Sequence, residues 1–488
     1  MKMASKRERV LWPPAYSGFL KEGKVSIMEL SGTDTVWVLL STALVMLMTP
    51  GLALFYAGLT ERRSAINTLL MSFASIGVVS LVWVVIGYSV AFSEGNAWLG
   101  GLDYVFLNGV DLTPLEGATI PHLLFAAFQM MFAVITPALI SGAVVGRMKF
   151  SAYLWFCALW SLCVYAPLCH WVWGGGFLSQ DGALDFAGGT VVHVSAGVSA
   201  LVAAWVLGPR VGAEKHSNGA YNIPMVLLGA GLLWFGWFGF NAGSSLAADT
   251  IAVNALTTTH LAAAMAMVTW LALEAFCGKR PSATGLAIGA VVGLVGITPA
   301  AGYVEINGAL AIGGLSSAAA FGVLHVLEKR SLDDTLDVFA CHGIGGIVGS
   351  ILTGVFATTA VNPAGADGLL AGNPGQLLPQ ITSVLAAAVL ALVGTWGILK
   401  VLELTIGIRV SSVEERSLDR ALHAESVYLA PSEKLFGERV VDAGFATERQ
   451  IMEALHIQRN QLPSTPLGEI LRSRGVLKLD ELEVLLSS

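Results

Sequence analysis

Charged residues are scarce in this sequence. Asp, Glu, Lys and Arg make up only 12% of its 488 residues, against about 25% in a typical soluble domain. Hydrophobic residues make up 55%, and the apolar runs of about 20 residues are each long enough to cross a hydrocarbon core of roughly 30 Å. This composition excludes a soluble globular protein. It predicts an all-α polytopic protein surrounded by membrane lipid, with no nucleic-acid partner.

Cysteine is also rare. The five cysteines lie in or beside apolar runs, at positions 157, 163, 169, 277 and 341. An odd number in such places indicates free thiols and argues against a disulfide framework. The sequence also lacks a nucleophile–base pair, a cluster of metal ligands or a phosphate-binding loop, apart from the histidine motifs described below. We therefore expect no enzyme activity, no cofactor and no metal.

The apolar runs predict eleven membrane-spanning helices within a membrane domain of residues 33–406. Their expected bounds are 34–58, 66–91, 121–145, 150–170, 188–208, 223–242, 256–277, 282–303, 305–327, 338–360 and 378–406.

The charges between these spans divide by side. Basic residues follow the odd-numbered spans: Arg62, Arg63, Arg147, Lys149, Arg210, Lys215, Lys279, Arg280, Lys329 and Arg330. Acidic residues follow the even-numbered spans, without Lys or Arg: Glu94, Asp103, Asp111, Glu116, Asp181, Asp249, Glu305 and Asp367. Because positively charged loops remain cytoplasmic, we expect the N-terminus outside and the C-terminus inside the cytoplasmic membrane.

The leader, residues 1–32, disagrees with this orientation. It carries Lys2, Lys6, Arg7, Arg9, Lys21 and Lys24 on the side that should be outside. It has no apolar stretch of the kind found in a signal peptide. We therefore favour Met28 as the true start, which leaves a short acidic leader.

Two apolar segments each carry a carboxylate and a histidine. One segment holds Asp185 and His193, and the other holds Asp337 and His342. Ionisable groups at membrane depth are costly, usually face the bundle interior and mark a substrate or ion path. The two segments are spans 5 and 10. They predict two inverted five-span halves plus one extra span, with the path at the interface of the halves.

Four motifs match one family closely. They are His170-Trp-Val-Trp-Gly-Gly-Gly176, Gly182-Ala-Leu-Asp-Phe-Ala-Gly-Gly-Thr-Val-Val-His193, Gly236-Trp-Phe-Gly-Phe-Asn-Ala-Gly-Ser244 and Asp337-Val-Phe-Ala-Cys-His-Gly343. They resemble the signature of the ammonium transporter (Amt/Mep/Rh) family, in its bacterial Amt form, over about residues 33–428. The resemblance implies an ammonium/ammonia channel: a homotrimer with one pore through each subunit.

The resemblance implies an outer substrate site at Trp173 and Ser244, above two gating rings at Phe132 and Phe240. A cation within about 6 Å of a Trp ring is attracted by roughly 0.5–2 kcal/mol, and the Ser244 hydroxyl can accept an N–H bond. The stacked phenylalanines strip water, so a bare cation meets a desolvation cost that loss of a proton lowers.

Below the gate, the resemblance places His193 and His342 along a narrow pore. A neutral imidazole has one N–H donor and one acceptor nitrogen, and its ordinary pKa near 6.5 makes protonation accessible. Two bonded imidazoles could therefore pass a proton along the pore. Asp185 either caps span 5 or also attracts the cation electrostatically, and we rank the structural role first. We expect Asp337 to cap span 10.

The cytoplasmic tail, residues 407–430, resembles the family tail through Leu418, Asp419, His423 and Glu425. In bacteria the P-II signal protein binds from this side and blocks the pore. Two glycines that are usual in this tail are replaced by Ser417 and Ala424, which weakens the expectation of a P-II response.

Residues 431–488 form a tandem repeat offset by 31 residues. The motif Phe436-Gly-Glu-Arg-Val-Val-Asp-Ala-Gly444 is followed by Leu467-Gly-Glu-Ile-Leu-Arg-Ser-Arg-Gly475, and each copy predicts a pair of helices. A capping box at 447–450 and helix-ending glycines at 444 and 475 support this interpretation.

The tandem repeat resembles the N-terminal domains of type II secretion and type IV pilus ATPases, some of which bind cyclic di-GMP. Candidate nucleotide-binding residues are Gly437, Gly444, Gln458, Gly468 and Gly475. Leu435 and Pro466 stand where that family has arginine, so a docking or trimer-stabilising module without a ligand is an equal alternative. For the whole chain, the alternative to a transporter is an ammonium sensor that signals through this C-terminal region with little flux.

Overall fold

The computed structural model describes residues 29–115, 117–211, 220–327, 332–424, 436–461 and 465–482. The proposed start at Met28, and Glu425 of the tail motif, lie outside these ranges. Within them the chain is helical, and it forms only isolated β-bridges and no strand. The predicted all-α class is confirmed for the described residues.

Within the described residues, the membrane unit contains ten helices that are long and apolar enough to cross a membrane. They are α1 (Gly32–Leu59), α2 (Arg62–Phe92), α3 (His122–Val144), α4 (Phe150–Gln180), α5 (Gly189–Leu207), α6 (Ile223–Ser245), α7 (Thr250–Phe276), α9 (Ile306–Leu327), α10 (Phe339–Phe356) and α11 (Pro374–Thr405), with the shorter α8 (Ala283–Ile297) between α7 and α9. The chain is therefore a multi-pass membrane protein.

Helix α8 differs from the expected eighth span, 282–303. Only 15 residues are helical, which gives a length of about 22 Å. Pro299 follows closely, and proline cannot continue the backbone ladder; turns occupy residues 298–303. Most of α8 is buried, so it packs against protein on nearly every side, and its apolar run reflects that burial.

Five of the long helices contain a π-helical segment. These segments are Trp83–Gly87 in α2, Ser161–Tyr165 in α4, Gly189–Val194 in α5, Phe238–Ala242 in α6 and Phe339–Ile344 in α10. Such wide turns are rare and are often found at functional sites. Three of them carry His193, Phe240 and His342.

Helices α5 and α10 are in direct backbone contact at glycine residues where they cross. A Cβ built on Gly197 would lie 2.1 Å from the Gly343 nitrogen, and one built on Gly349 would lie 2.1 Å from the Gly296 oxygen of α8. Small residues permit such close approach between helices in membranes. The contact at Gly197 therefore brings the two histidine-bearing helices to a separation that no larger residue allows.

The chain divides into two units, residues 1–424 and 425–488. The short helices α12 (Ser412–Glu415) and α13 (Leu418–His423) belong to the first. The second contains α14 (Phe436–Asp442), α15 (Glu448–Asn460) and α16 (Leu467–Ser473) around a core centred on Val440, Ile451 and Leu471. A further helical turn begins at 479, so the structure describes three of the four predicted helices and the beginning of the fourth.

Candidate functional site

One end of the membrane unit gathers the basic loops. The segments that join α1 to α2, α3 to α4, α5 to α6 and α9 to α10 meet there through Arg147, Arg210, Glu61 and Asp333. We call this the basic end and the opposite end the acidic end. The functional residues predicted for the membrane domain form a column between them.

Asp185 lies at the start of α5, on the acidic side of the column. Its Oδ1 accepts hydrogen bonds from the backbone N–H of Gly188 (2.9 Å) and Gly189 (2.6 Å), and its Oδ2 accepts from Thr190 (2.8 Å) and Val191 (3.2 Å). The Thr190 hydroxyl also donates to Oδ2. The predicted capping role is confirmed, and both carboxylate oxygens are occupied by it.

Trp173 ends the main helical part of α4 and sits beside Asp185. Its indole N–H donates to the Asp185 carbonyl oxygen at 2.9 Å, which fixes the ring plane. Ser244 lies at the acidic end of α6, where its hydroxyl donates to the Phe240 carbonyl oxygen at 2.8 Å. That bond uses the hydroxyl proton, so the oxygen's lone pairs remain to accept an N–H from a ligand.

Phe132 and Phe240 are stacked below Trp173. Their ring centroids are 4.2 Å apart at 32°, and the Trp173 ring meets Phe132 edge-on at 6.1 Å. Both phenylalanines are 1% exposed. Phe240 also stacks on His193 at 6.0 Å, so the two phenylalanines lie between Trp173 and the histidine pair.

The two histidines meet beyond the phenylalanine pair. Their Nδ1 atoms are 3.3 Å apart, and their rings are nearly parallel, with centroids at 5.3 Å. One Nδ1 must therefore donate and the other accept. The Nε2 of His193 is buried and has no hydrogen-bond partner among the described residues.

Sequence reasoning missed one member of this column, Trp237. Its ring stacks on His193 at 5.4 Å and 24°, and its N–H donates to the Thr298 hydroxyl at 2.9 Å. Its place three residues before Phe240 in the α6 motif was the available signal. Trp237 and the histidines line a small cavity whose other walls are apolar: Met48, Leu52, Phe55, Ile135, Leu139, Val192, Leu233, Phe240 and Val291.

The four other histidines of the membrane helices bond or stack elsewhere. His122 bonds the Tyr88 hydroxyl, and His170 bonds the carbonyl oxygens of Ala91 and Asn96. The remaining two rings stack on Trp234 and Phe321. No ring contact joins any of the four to the column in the described residues.

The cap of α10 corrects one prediction. The carboxylate that accepts from the Phe339 N–H, at 2.7 Å, is that of Asp334, and not Asp337 as expected. Asp337 instead takes a left-handed backbone conformation, with φ at 56°. That turn reverses the chain just before the helix, which leaves the cap to the earlier residue.

Comparison with known proteins identifies the family of this chain. The model of the "Ammonium Transporter Family" matches residues 36–428. This chain belongs to the ammonium transporter family. An "Ammonium transporter" from Aquifex aeolicus is 49% identical over 82% of this chain and 94% of its own length.

Solved structures of the ammonium transporter fold agree. Saccharomyces cerevisiae Mep2 is 33% identical, with a TM-score of 0.73 over 78% of this chain and 88% of its own. A structure described as "Sensor Amt Protein" is 29% identical, with a TM-score of 0.74 over 82% and 98%. The family consists of transport proteins, so this chain is a multi-pass transporter and not an enzyme.

The transporter's tail docks on the basic end. Asp419 accepts hydrogen bonds from the N–H groups of Ile66 (3.0 Å) and Asn67 (2.9 Å), which caps the first turns of α2. The His423 ring bonds the Asn67 side chain and packs edge-on against Phe150.

Ala424 ends α13 in a left-handed conformation, φ 55° and ψ 27°. Glycine adopts that region without a steric penalty, whereas an L-residue pays roughly 1–2 kcal/mol. Ala424 is therefore a point where this tail carries backbone strain.

A buried arginine holds the basic end together. The Arg147 side chain is 0% exposed and donates to the carbonyl oxygens of Gly208 and Asp333 and to the Thr335 hydroxyl. Burial lowers the pKa of Arg147 to about 10, although Asp333 opposes that shift. It therefore remains charged at neutral pH and ties three loops of the transporter to one point.

The residues proposed for nucleotide binding have internal roles in the second unit. A Cβ on Gly437 would lie 2.5 Å from Ile451, and one on Gly468 would lie 2.7 Å from Leu482, so both glycines serve helix packing. Gly444 and Gly475 have positive φ, 76° and 70°, and end helices as predicted.

Gln458 is also used inside the module, because its amide donates to the Thr465 carbonyl oxygen at 2.8 Å. The capping box between Thr447 and Gln450 is confirmed. The structure therefore gives each of the five candidate residues a place in the fold.

Proposed function

We propose that this chain conducts ammonium into the cell, as recruited NH₄⁺ that passes a hydrophobic twin-histidine pore after losing its proton. The observation that carries the proposal is the bonded pair of His193 and His342 directly beyond the stacked Phe132 and Phe240. This arrangement puts a route for a proton and a route for a small neutral molecule in one apolar column.

Recruitment takes place at the acidic end, which we assign to the outside of the cell. Trp173 supplies a ring face for the cation, and the Ser244 oxygen accepts an N–H bond. Asp185 places its fully hydrogen-bonded carboxylate behind Trp173. In this role it orders the site and contributes negative potential, because its lone pairs are already used.

Deprotonation follows from the change of environment. K⁺ and NH₄⁺ carry the same charge, but only NH₄⁺ can shed a proton and enter the apolar column as a neutral molecule. The charged form meets a large desolvation cost there. The proton then moves between the two imidazoles, since each has one donor and one acceptor nitrogen. Selectivity thus comes from chemistry and not from pore diameter.

A direct test is to apply ammonium pulses to proteoliposomes on a solid-supported membrane. We expect a current that rises with ammonium concentration and is absent with the same concentration of K⁺. Absence of ammonium-dependent current from a folded protein would contradict transport. It would favour the alternative, an ammonium sensor that signals through its C-terminal region. The similarity to a structure described as "Sensor Amt Protein" is the observation that favours this alternative.

Trp173→Leu tests the recruitment site. The substitution removes the aromatic face and the hydrogen bond to Asp185, so we expect weaker apparent affinity and reduced discrimination against other cations. Loss of one cation–π contact should weaken the binding of ammonium by about 0.5–2 kcal/mol. Currents with unchanged concentration dependence would exclude Trp173 from recruitment.

The fold proposed around this pore has eleven spans, with α8 as a short, buried eighth span, in two inverted five-helix halves plus α11. Exposed apolar side chains on α1, α6 and α7, such as Val36, Leu228 and Val268, suit contact with lipid or with other subunits of a homotrimer. The proposed orientation places the basic end in the cytoplasm.

Regulation is proposed to act through the docked tail. A P-II signal protein binding at the basic end, or a ligand of residues 431–488, can shift transport only if it binds one tail arrangement better than another. A coupling of about 1–3 kcal/mol would change affinity several-fold or more.

Cyclic di-GMP is the proposed ligand of the C-terminal module, with docking alone as the equal alternative. Calorimetric titration of the full chain, compared with a chain ending after residue 430, distinguishes them. Heat in the full chain alone supports the ligand. No heat in either leaves the docking role.

A further inference from the structure

A second carboxylate, that of Asp334, lies toward the basic end of the membrane unit. Asp185 precedes His193 by eight residues, and Asp334 precedes His342 by the same number. Each carboxylate accepts a backbone N–H at the beginning of the π-helical segment that carries its histidine. One acts at the acidic end and the other at the basic end.

The two carboxylates differ in how completely they are used. Both oxygens of Asp185 accept hydrogen bonds, from four backbone N–H groups and one hydroxyl. Among the described residues, only Oδ2 of Asp334 accepts a hydrogen bond, and its buried Oδ1 has no partner. Asp334 is 8% exposed. A buried polar atom without a partner is costly, so the unused oxygen calls for an explanation.

The surroundings of Asp334 raise its pKa and so favour the neutral form, although other groups oppose this shift. Burial raises its pKa to about 6, against the backbone amides of Phe339 and Val338 and the charge of Arg147, which lower it. The neighbouring Asp333 is negative and adds a smaller push upward. Asp333 itself is committed elsewhere, because it receives two hydrogen bonds from the Arg210 guanidinium.

The charge of Asp334 acts on two further titratable groups, Tyr56 and Cys341, and Asp337 acts more strongly than Asp334 on Cys341. Both groups lie on helices that line the cavity. Cys341 directly precedes His342, and the Tyr56 hydroxyl donates to the carbonyl oxygen of Leu139, which lines the cavity. Asp334 therefore lies at the point where α10 begins, on the basic side of His342.

We propose that Asp334 accepts the proton that leaves the His193–His342 pair and passes it to the water at the basic end. The proposal rests on the histidine relay proposed above. It makes Asp334 a proton-transfer residue, in contrast to the structural Asp185.

The step balances as a simple proton transfer. The imidazolium of the pair returns to neutral imidazole, and the Asp334 carboxylate becomes a carboxylic acid with its proton on Oδ1. The acid then releases that proton to bulk water, and the carboxylate is restored. Oδ2 keeps its bond to the Phe339 N–H throughout, so α10 retains its cap in both protonation states.

The test uses Asp334→Asn in the full chain reconstituted in proteoliposomes. The amide oxygen can still accept from Phe339, but the group no longer titrates. The matched control is Asp337→Asn, which removes a carboxylate from the same segment at a left-handed position that asparagine tolerates. Asp334→Glu restores a titrating group. The readout is ammonium-driven current as the internal pH is varied.

We expect wild-type current to fall as internal pH drops through about 6, because the acceptor is then already protonated. Asp334→Asn should reduce the current about tenfold or more and abolish this pH dependence. Asp337→Asn should preserve both, and Asp334→Glu should retain current with a shifted midpoint.

Two outcomes overturn the inference. One is a wild-type current and pH profile in Asp334→Asn. The other, if that variant does not fold, is an unshifted profile in folded Asp334→Glu. Replacing both His193 and His342 with leucine in parallel separates the hypotheses: if that variant conducts normally, the proposed function itself fails; if it is silent while Asp334→Asn is normal, only the role of Asp334 fails.

Discussion

The membrane unit and the C-terminal module each repeat a motif, and the two repeats have different roles. In the membrane unit, close contact at Gly197 and Gly343 brings two histidines face to face and leaves the His193 Nε2 without a partner. In the module, Gly437 and Gly468 also permit close packing, but they pack against apolar side chains. The module's polar Gln458 is bonded internally.

The difference shows where to look for function in a repeated sequence. A repeat alone indicates a repeated piece of fold. It indicates a candidate site when polar atoms of its copies are buried without a partner beside a shared cavity, because a hydrogen bond left unmade in an apolar interior is destabilising.

The largest expected effect comes from removing both polar groups of the membrane repeat. Replacing both His193 and His342 by leucine should abolish ammonium-driven current, because the proposed proton relay in the apolar column then has no titratable group. Size-exclusion chromatography should show an unchanged assembly, since leucine fills similar space. His342→Glu is the matched variant and should keep measurable current; a double variant with full current would place the relay elsewhere.

Gly197→Ala tests the close contact without touching either histidine. The new Cβ would lie 2.1 Å from the Gly343 nitrogen, so α5 and α10 must move apart and the 3.3 Å bond between the imidazoles must lengthen. We expect a stability loss of about 1–3 kcal/mol together with reduced current, measured by thermal unfolding and on proteoliposomes.

The control for this change is Gly77→Ala in α2, where a Cβ meets nothing within 4 Å. Alanine there should be neutral or stabilise the helix by up to about 1 kcal/mol. Equal behaviour of the two variants would show that the contact at Gly197 is not needed.

Gly468→Ala makes the corresponding change in the module. Its Cβ would lie 2.7 Å from a Leu482 methyl group and 3.0 Å from the Phe436 ring. These are ends of flexible side chains, so we expect a smaller loss, about 1 kcal/mol, confined to the module. Limited proteolysis of residues 431–488 should report it, while current stays normal; a loss of current would indicate that the module's fold controls the pore.

The smallest effect is expected for Gln458→Ala. It removes one hydrogen bond to the Thr465 carbonyl, worth about 1 kcal/mol or less. If Gln458 serves only the fold, the affinity for any ligand of the module should change no more than its stability does. A selective loss of cyclic di-GMP binding at unchanged stability would move Gln458 from the fold to a binding site.

Much of the membrane unit could be predicted from hydropathy and motifs. The two histidines contact each other, the two phenylalanines stack, and Asp185 caps α5. Three features could not be predicted in the same way. Asp334 and Asp337 are both acidic residues before α10, and only the left-handed turn at Asp337 decides which one caps it.

The other two features depend on tertiary packing. Arg147 looks like an ordinary charge in a basic loop, and its burial follows from three loops that converge on it. Helix α8 has the hydropathy of a span, but the pattern does not distinguish apolar residues that face protein from those that face lipid.

The π-helical segments have a consequence for how this chain tolerates change in length. Each such segment accommodates one residue more than the α-helical turn it replaces. Deleting a single residue from 189–194 could restore a regular helix and keep every backbone bond satisfied, yet it would turn the residues before the deletion by about 100° relative to the residues after it. A one-residue deletion inside a membrane helix therefore acts mainly by changing the direction in which the side chains on one side of it point. It could silence the pore in a protein that still inserts and folds.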